Sequence, residues 1–206
     1  MNAVRWWAVA LAIFLAAIGT RADISGSKHD FSTQTWAAGQ ICIVCHTPHN
    51  AGAGAGPLWN HASTATTFTL YSSPTFNGTI AQPAASTKAC LSCHDGTVAL
   101  DQYGGNTPQV PSLLLTGPAL LGTNLSDDHP VSFAYTSALA TTDGELHDPA
   151  TWPSGIRTGG TIRSDMLFAD QLECASCHDV HNSFSQPKLL VKSNAGSALC
   201  LTCHAK

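Results

Sequence analysis

All eight cysteines of this 206-residue chain fall in pairs spaced CxxC, and a histidine directly follows each pair. The four motifs are Cys42-Cys45-His46, Cys90-Cys93-His94, Cys174-Cys177-His178 and Cys200-Cys203-His204. Two thiols on one helical turn can add to the vinyl groups of a haem as thioethers. The next histidine is then held beneath the iron as its proximal ligand. The pattern predicts four covalently attached haems of the c type. A disulfide framework would suit eight cysteines in an exported chain, but it does not explain the histidine after every pair. A zinc ribbon also uses paired CxxC, without a histidine tied to each. A thioredoxin-like redox motif needs a βαβ context, which the chain does not offer.

Ten histidines less four proximal ones leave His29, His49, His61, His129, His147 and His181 to fill the sixth position on four irons. His49 and His181 each lie three residues beyond a proximal histidine, in Cys-His-Thr-Pro-His-Asn and Cys-His-Asp-Val-His-Asn. At that spacing they sit on the same helical face as their own proximal ligand, so each is expected to serve a different haem. For His181 the expected target is the haem on Cys200 and Cys203. For His49 it is either the haem on Cys90 and Cys93 or a haem of a neighbouring copy. His129, in Asp-Asp-His-Pro-Val-Ser, suits a ligand delivered from a loop stiffened by Pro130. His29 precedes the first motif, and Asp30 could support it as a hydrogen-bond partner. His61, after Pro57-Leu-Trp-Asn, is the reserve for His29. His147 reads as a solvent-facing loop residue. Met166 has Leu167 and Phe168 beside it, which favours packing over ligation.

The elements that must position these groups are short. Residues 50–89 are rich in Ala, Gly, Ser, Thr and Pro, with one strand-like piece at Thr67–Tyr71. Residues 104–126 alternate turn formers with a brief leucine run, and Thr141–Gly160 reads as loop. Helical pattern is best just before and through the motifs, as at Asp165–Cys177 and Ser197–His204. The expected fold is mostly irregular, with short α-helices and minimal β, wrapped around a row of haems. The first and third motifs resemble each other, as do the second and fourth, so the chain carries two weakly repeated haem pairs. Residues 23–206 are expected to form one tetrahaem domain.

Residues 1–22 have the layout of a secretory signal peptide: Arg5, an apolar run from Trp6 to Ile18, then small residues up to Ala22. That run falls short of the roughly 20 apolar residues of a membrane span, so no transmembrane anchor is expected. Nine Lys and Arg less Arg5 and Arg21 leave seven, against thirteen Asp and Glu, for a net charge of −6. An acidic chain without a basic patch argues against a nucleic-acid partner. Charged residues make up 11 % of the chain, against about 25 % in an average soluble protein. A neutral surface that packs against its own copies and a mere compositional habit fit that figure equally.

The segments Lys-His-Asp-Phe-Ser, Cys-His-Thr-Pro-His-Asn, Pro-Leu-Trp-Asn-His, Asp-Asp-His-Pro-Val-Ser and Cys-His-Asp-Val-His-Asn resemble those of multihaem c cytochromes of metal-reducing bacteria. The likeness is to the OmcE-like tetrahaem type, whose members polymerise into extracellular cytochrome nanowires. It runs from His29 to His204. It implies bis-histidine haems stacked in a continuous chain, with some axial ligands supplied by the adjacent subunit. The expected function is electron transfer, extracellular or, second, periplasmic, to other redox proteins or extracellular acceptors. The competing class is a nitrite- or hydroxylamine-type reductase, which must keep one iron open. Six spare histidines, and no acid–base group beside a motif, weigh against an enzyme. A haem-based sensor would need an output domain.

Overall fold

The computed structural model describes residues 24–52, 55–106, 108 and 113–206. The expected signal peptide lies outside the described residues. Among those residues, no helix is long and apolar enough to cross a membrane. Regular structure is sparse: α1 (Ala85–His94), β1 (Phe133–Ala134), α2 (Ser137–Asp143), α3 (Ile162–Met166), β2 (Gln171–Leu172) and α4 (Cys200–Cys203), with a few one-turn 3₁₀ segments. β1 and β2 pair antiparallel, Phe133 opposite Leu172. The mostly irregular architecture expected from the sequence is the one observed.

Several local expectations are corrected. α1, the longest helix, runs just before and through the second motif, where helix is expected, but it opens within the Ala-, Ser- and Thr-rich stretch. It stops at His94 because Asp95 and Gly96 follow. Gly96 has φ +73°, and a Cβ there would strike the Leu120 side chain. Thr67–Tyr71 forms no strand, only a parallel bridge between Thr69 and Asn124. The Gln82 side-chain amide fills the place of a second strand, bonding both the N–H and the carbonyl of Phe68 at 2.9 and 3.0 Å. The helix expected over Asp165–Cys177 is two separate pieces. α3 starts earlier, in a capping box between Thr161 and Ser164. It then gives way to left-handed backbone at Ala169 and Asp170, and the third motif restarts as a 3₁₀ turn, Cys174–Ser176. α2 is capped by the Thr136 hydroxyl and occupies part of the segment read as loop.

The protein core is divided. Phe133, Tyr135, Ala140, Ile162, Met166, Leu167, Leu172, Val191 and Leu199 form one cluster. Phe68, Leu91 and Leu125 form a smaller one. Met166 is a packing residue of the first, 2 % exposed. Motifs two and three are locked together: the Cys174 N–H donates to the fully buried Thr87 hydroxyl of α1 at 3.0 Å.

Candidate metal centres

Each motif is one turn of helix, whatever surrounds it. The histidine N–H bonds the carbonyl of the first cysteine at 2.8 Å in His46, 3.1 Å in His178 and 3.0 Å in His204, and His94 ends α1. That turn aligns both sulfurs and the imidazole on one side, as thioether attachment requires. Burial pushes the Cys45 and Cys177 thiols up to about 11 and those of Cys93 and Cys203 to about 12. These surroundings suit an uncharged sulfur, which a thioether is. The four motifs also adjoin one another. The Cys90 and Cys174 sulfurs share a hydrogen bond that holds Cys90 high. Cys45 lies near enough to Cys93, and Cys200 to Cys177, to raise the neighbour's pKa.

The likeness of motifs one and three extends to the backbone. Thr47 N–H bonds the Leu58 carbonyl and Asp179 N–H bonds that of Leu189, at 2.9 and 2.7 Å. Asn60 N–H returns to the Cys45 carbonyl and Val191 N–H to that of Cys177, both at 2.9 Å. Asn50 and Asn182, which close the two CHxxHN runs, have φ of 56° and 55°, a left-handed turn asparagine tolerates. The chain after His46 and His178 is therefore extended and then turned, not helical. The premise that His49 and His181 share a helical face with their own proximal ligand does not hold. The bend carries them away from it all the same.

Three proximal histidines have Nδ1 against a backbone carbonyl: His46 with Pro57 at 3.0 Å, His94 with Ala119 at 2.7 Å and His178 with Lys188 at 3.0 Å. Such a bond keeps the proton on Nδ1 and leaves Nε2 bare for a metal. Sequence reasoning missed these carbonyls, though a proline marks each segment: Pro57 itself, Pro118 before Ala119 and Pro187 before Lys188.

Three proximal rings face a second histidine. His46 faces His181 with ring centres 6.0 Å apart, His94 faces His29 at 6.0 Å, and His204 faces His129 at 6.3 Å. A metal held by imidazole nitrogens at about 2 Å, with roughly 1.1 Å more to each ring centre, spaces two opposed rings by about 6 Å. Direct stacking is much closer, as in His147 on Trp152 at 3.6 Å and 4°. His181 thus faces His46, not the expected His204, where His129 stands instead. His29 stands at His94, the place weighed for His49. Burial, then the charges of His94 and His178, bring His29 down to about 4, and its buried Nδ1 has no hydrogen-bond partner.

His61 meets the Trp59 ring edge-on instead of facing a proximal histidine among the described residues. It is 3 % exposed, with Nδ1 at 2.8 Å from the Ala62 carbonyl and Nε2 at 3.0 Å from that of Ala99. His147, half-buried on Trp152, is not the solvent-facing residue expected. All ten histidines lie in the described residues. Two remain, the exposed His49 and the proximal His178, whose ring faces no second histidine among those residues. The donor set therefore fits bis-histidine haem in three of the four places. Apolar side chains left uncovered at the motifs, such as Ile43, Leu58, Leu121, Val180 and Leu201, also fit an apolar macrocycle beside them.

Residues 166–206, which span the third and fourth motifs, match the doubled CXXCH motif family. The match supports a multihaem c-type cytochrome carrying covalently bound haem. No curated protein matches the chain.

Proposed function

We propose that this chain is an exported electron carrier whose residues 23–206 form one unit holding four c-type haems. Bound haem supplies reversible one-electron exchange at its iron. The chain's own residues attach it through the cysteine pairs and hold two imidazoles to the metal. They also hold the second and third motifs together through the Cys174 N–H on the Thr87 hydroxyl. The observation that carries this reading is the set of three proximal–distal histidine pairs at 6.0–6.3 Å. Two neutral imidazoles favour ferric iron and hence low potentials. The test is intact mass together with electron paramagnetic resonance of the secreted protein. Four haems added to the chain from Asp23, with low-spin ferric signals dominant, are expected. Three or fewer haems in mature protein would overturn it.

His49 and His178 favour a further reading, in which the chain is a subunit of a cytochrome filament. His49 stands on the same backbone as His181, which faces a proximal histidine of another motif, yet His49 itself faces none in its own chain. The iron above His178 is the one short of a ligand. His49 of a neighbouring copy would complete it, a head-to-tail contact that propagates unless it closes into a ring. Extracellular or cell-surface placement follows from that reading, with electrons passing to other redox proteins or extracellular acceptors. The reductase alternative rests on the same vacancy, since an iron bound by His178 alone would be open to substrate. Cryo-electron microscopy of the secreted material separates the two. Filaments with a histidine bridging copies support the first, and dispersed protein with one high-spin haem supports the second.

A further inference from the structure

We infer that Asp179 is a positioning residue that makes the haem shared by His46 and His181 the most reducing of the set, an inference that rests on the pairing of those two histidines. His181 is half-exposed, so packing does not fix its ring. Asp179 does. One carboxylate oxygen accepts the His181 backbone N–H at 3.0 Å and lies 3.5 Å from its Nδ1. The other accepts the Ser183 N–H at 2.8 Å. The carboxylate is itself anchored, because the Asp179 N–H bonds the Leu189 carbonyl.

Among the other axial candidates, His204 feels Asp143 and Glu145, but neither forms an ion pair with its ring among the described residues. The Nδ1 atoms of His46, His94, His129 and His178 meet neutral carbonyls, and that of His29 is buried without a partner. His181 is the one histidine that faces a carboxylate within ion-pair distance among the described residues. A negative charge behind a ligating imidazole pulls on its N–H, raises the basicity of the metal-bound nitrogen and favours ferric over ferrous iron. The matching position in the first motif is Thr47, on the same backbone. Its hydroxyl turns instead to the His49 carbonyl at 2.8 Å. The chain therefore contains its own comparison: one loop, repeated, with the charge present in one copy only.

The test is a spectroelectrochemical titration of holoprotein carrying D179N, D179T and D179E, with paramagnetic resonance on each. D179T borrows the residue the repeated loop already accommodates, which protects against a variant that fails to mature. D179N and D179T should each raise one midpoint potential, the lowest, and leave the others in place with all haems retained. D179E should bring that potential back toward wild type. In an H181M background the D179T shift should vanish. Unchanged potentials in haem-replete D179T would overturn the inference, as would a shift that survives H181M. Failure of the underlying pairing reads differently: H181M would then alter the ligand field of no haem.

Discussion

His29 and His61 show how little separates a ligand from a structural histidine at the level of one residue. His61 is buried and His29 half-buried, both lie near the first two motifs, and the sequence leaves either able to serve. The difference lies in what each ring nitrogen meets. His61 has both nitrogens against backbone carbonyls and Trp59 at its edge, ring centres 6.2 Å apart. His29 has an orphaned Nδ1 and the His94 ring opposite. Replacing His29 with Ala should leave one haem, that on Cys90 and Cys93, high-spin and open to carbon monoxide. Replacing His61 with Ala should leave every haem low-spin while lowering stability by about 1–3 kcal/mol, since a buried ring and its one N–H bond to a backbone carbonyl are lost. Resonance spectra and denaturant melts of the two variants check this. The cysteines and proximal histidines were legible because covalent attachment dictates their spacing. Distal histidines come from distant segments and are assigned by tertiary contacts, so His181 was attributed to the wrong motif. Asp179 and the three proline-marked carbonyls were in view, but nothing local gave them a role.

Elements in this chain are brief because side chains replace regular backbone pairing, as Gln82 does for Phe68. Small residues serve here as well: Ala85, Ser86 and Thr87 open the longest helix, where Thr87 reaches the third motif. The loop ahead of α3 shows the same economy. Asp165 is almost fully buried. It takes hydrogen bonds from Arg157 Nε at 2.9 Å and from the hydroxyls of Ser154 and Ser164. Lys192 ties this loop to α4, bonding the Ser154 carbonyl at 2.7 Å and the Thr202 hydroxyl at 2.9 Å. Burial alone would raise the Asp165 pKa, but its bonds to Ser154, Arg157 and Ser164 outweigh that and hold it below the ordinary range. A depressed carboxylate stabilises the fold above its unfolded value, about 3.9. That contribution is lost as pH falls through the folded value. Asp165→Asn should therefore cost stability near neutral pH and flatten the decline below about pH 4. Gly160→Ala should act on the same group, because a Cβ there would run into the Asp165 carboxylate. A loss of about 1–3 kcal/mol is expected for it, read from thermal melts of haem-replete protein.

At the scale of the whole molecule the count of histidines decides what the chain does alone and what it needs a neighbour for. Six rings pair off across three gaps, two are committed elsewhere, and His49 and His178 are left over, both exposed. The repeat makes that leftover informative. Motifs one and three have the same hydrogen bonds and the same left-handed asparagine, so His49 is presented as His181 is. His181 reaches a first-motif proximal histidine within its chain. By the same geometry His49 should reach a third-motif proximal histidine, and the one in its own chain does not face it. On the filament reading proposed above, one residue would govern both assembly and spin state. His49→Ala should abolish filaments and convert one haem per chain, that on Cys174 and Cys177, to high spin, with the other haems unchanged. Dilution of the wild type below its assembly concentration should give the same spectrum reversibly, because separation removes the same ligand. Wild-type protein that stays monomeric at high concentration, with all four irons low-spin, would mean His178 finds its partner within the chain. A His49→Ala protein that still forms filaments would put the junction elsewhere. A sensitive form of the test mixes His49→Ala chains with Cys174→Ser/Cys177→Ser chains, which lack the acceptor haem, so that each can supply what the other lacks. Head-to-tail pairing predicts that the mixture makes two-chain complexes and stops there, because each variant leaves one end of the junction unable to bond.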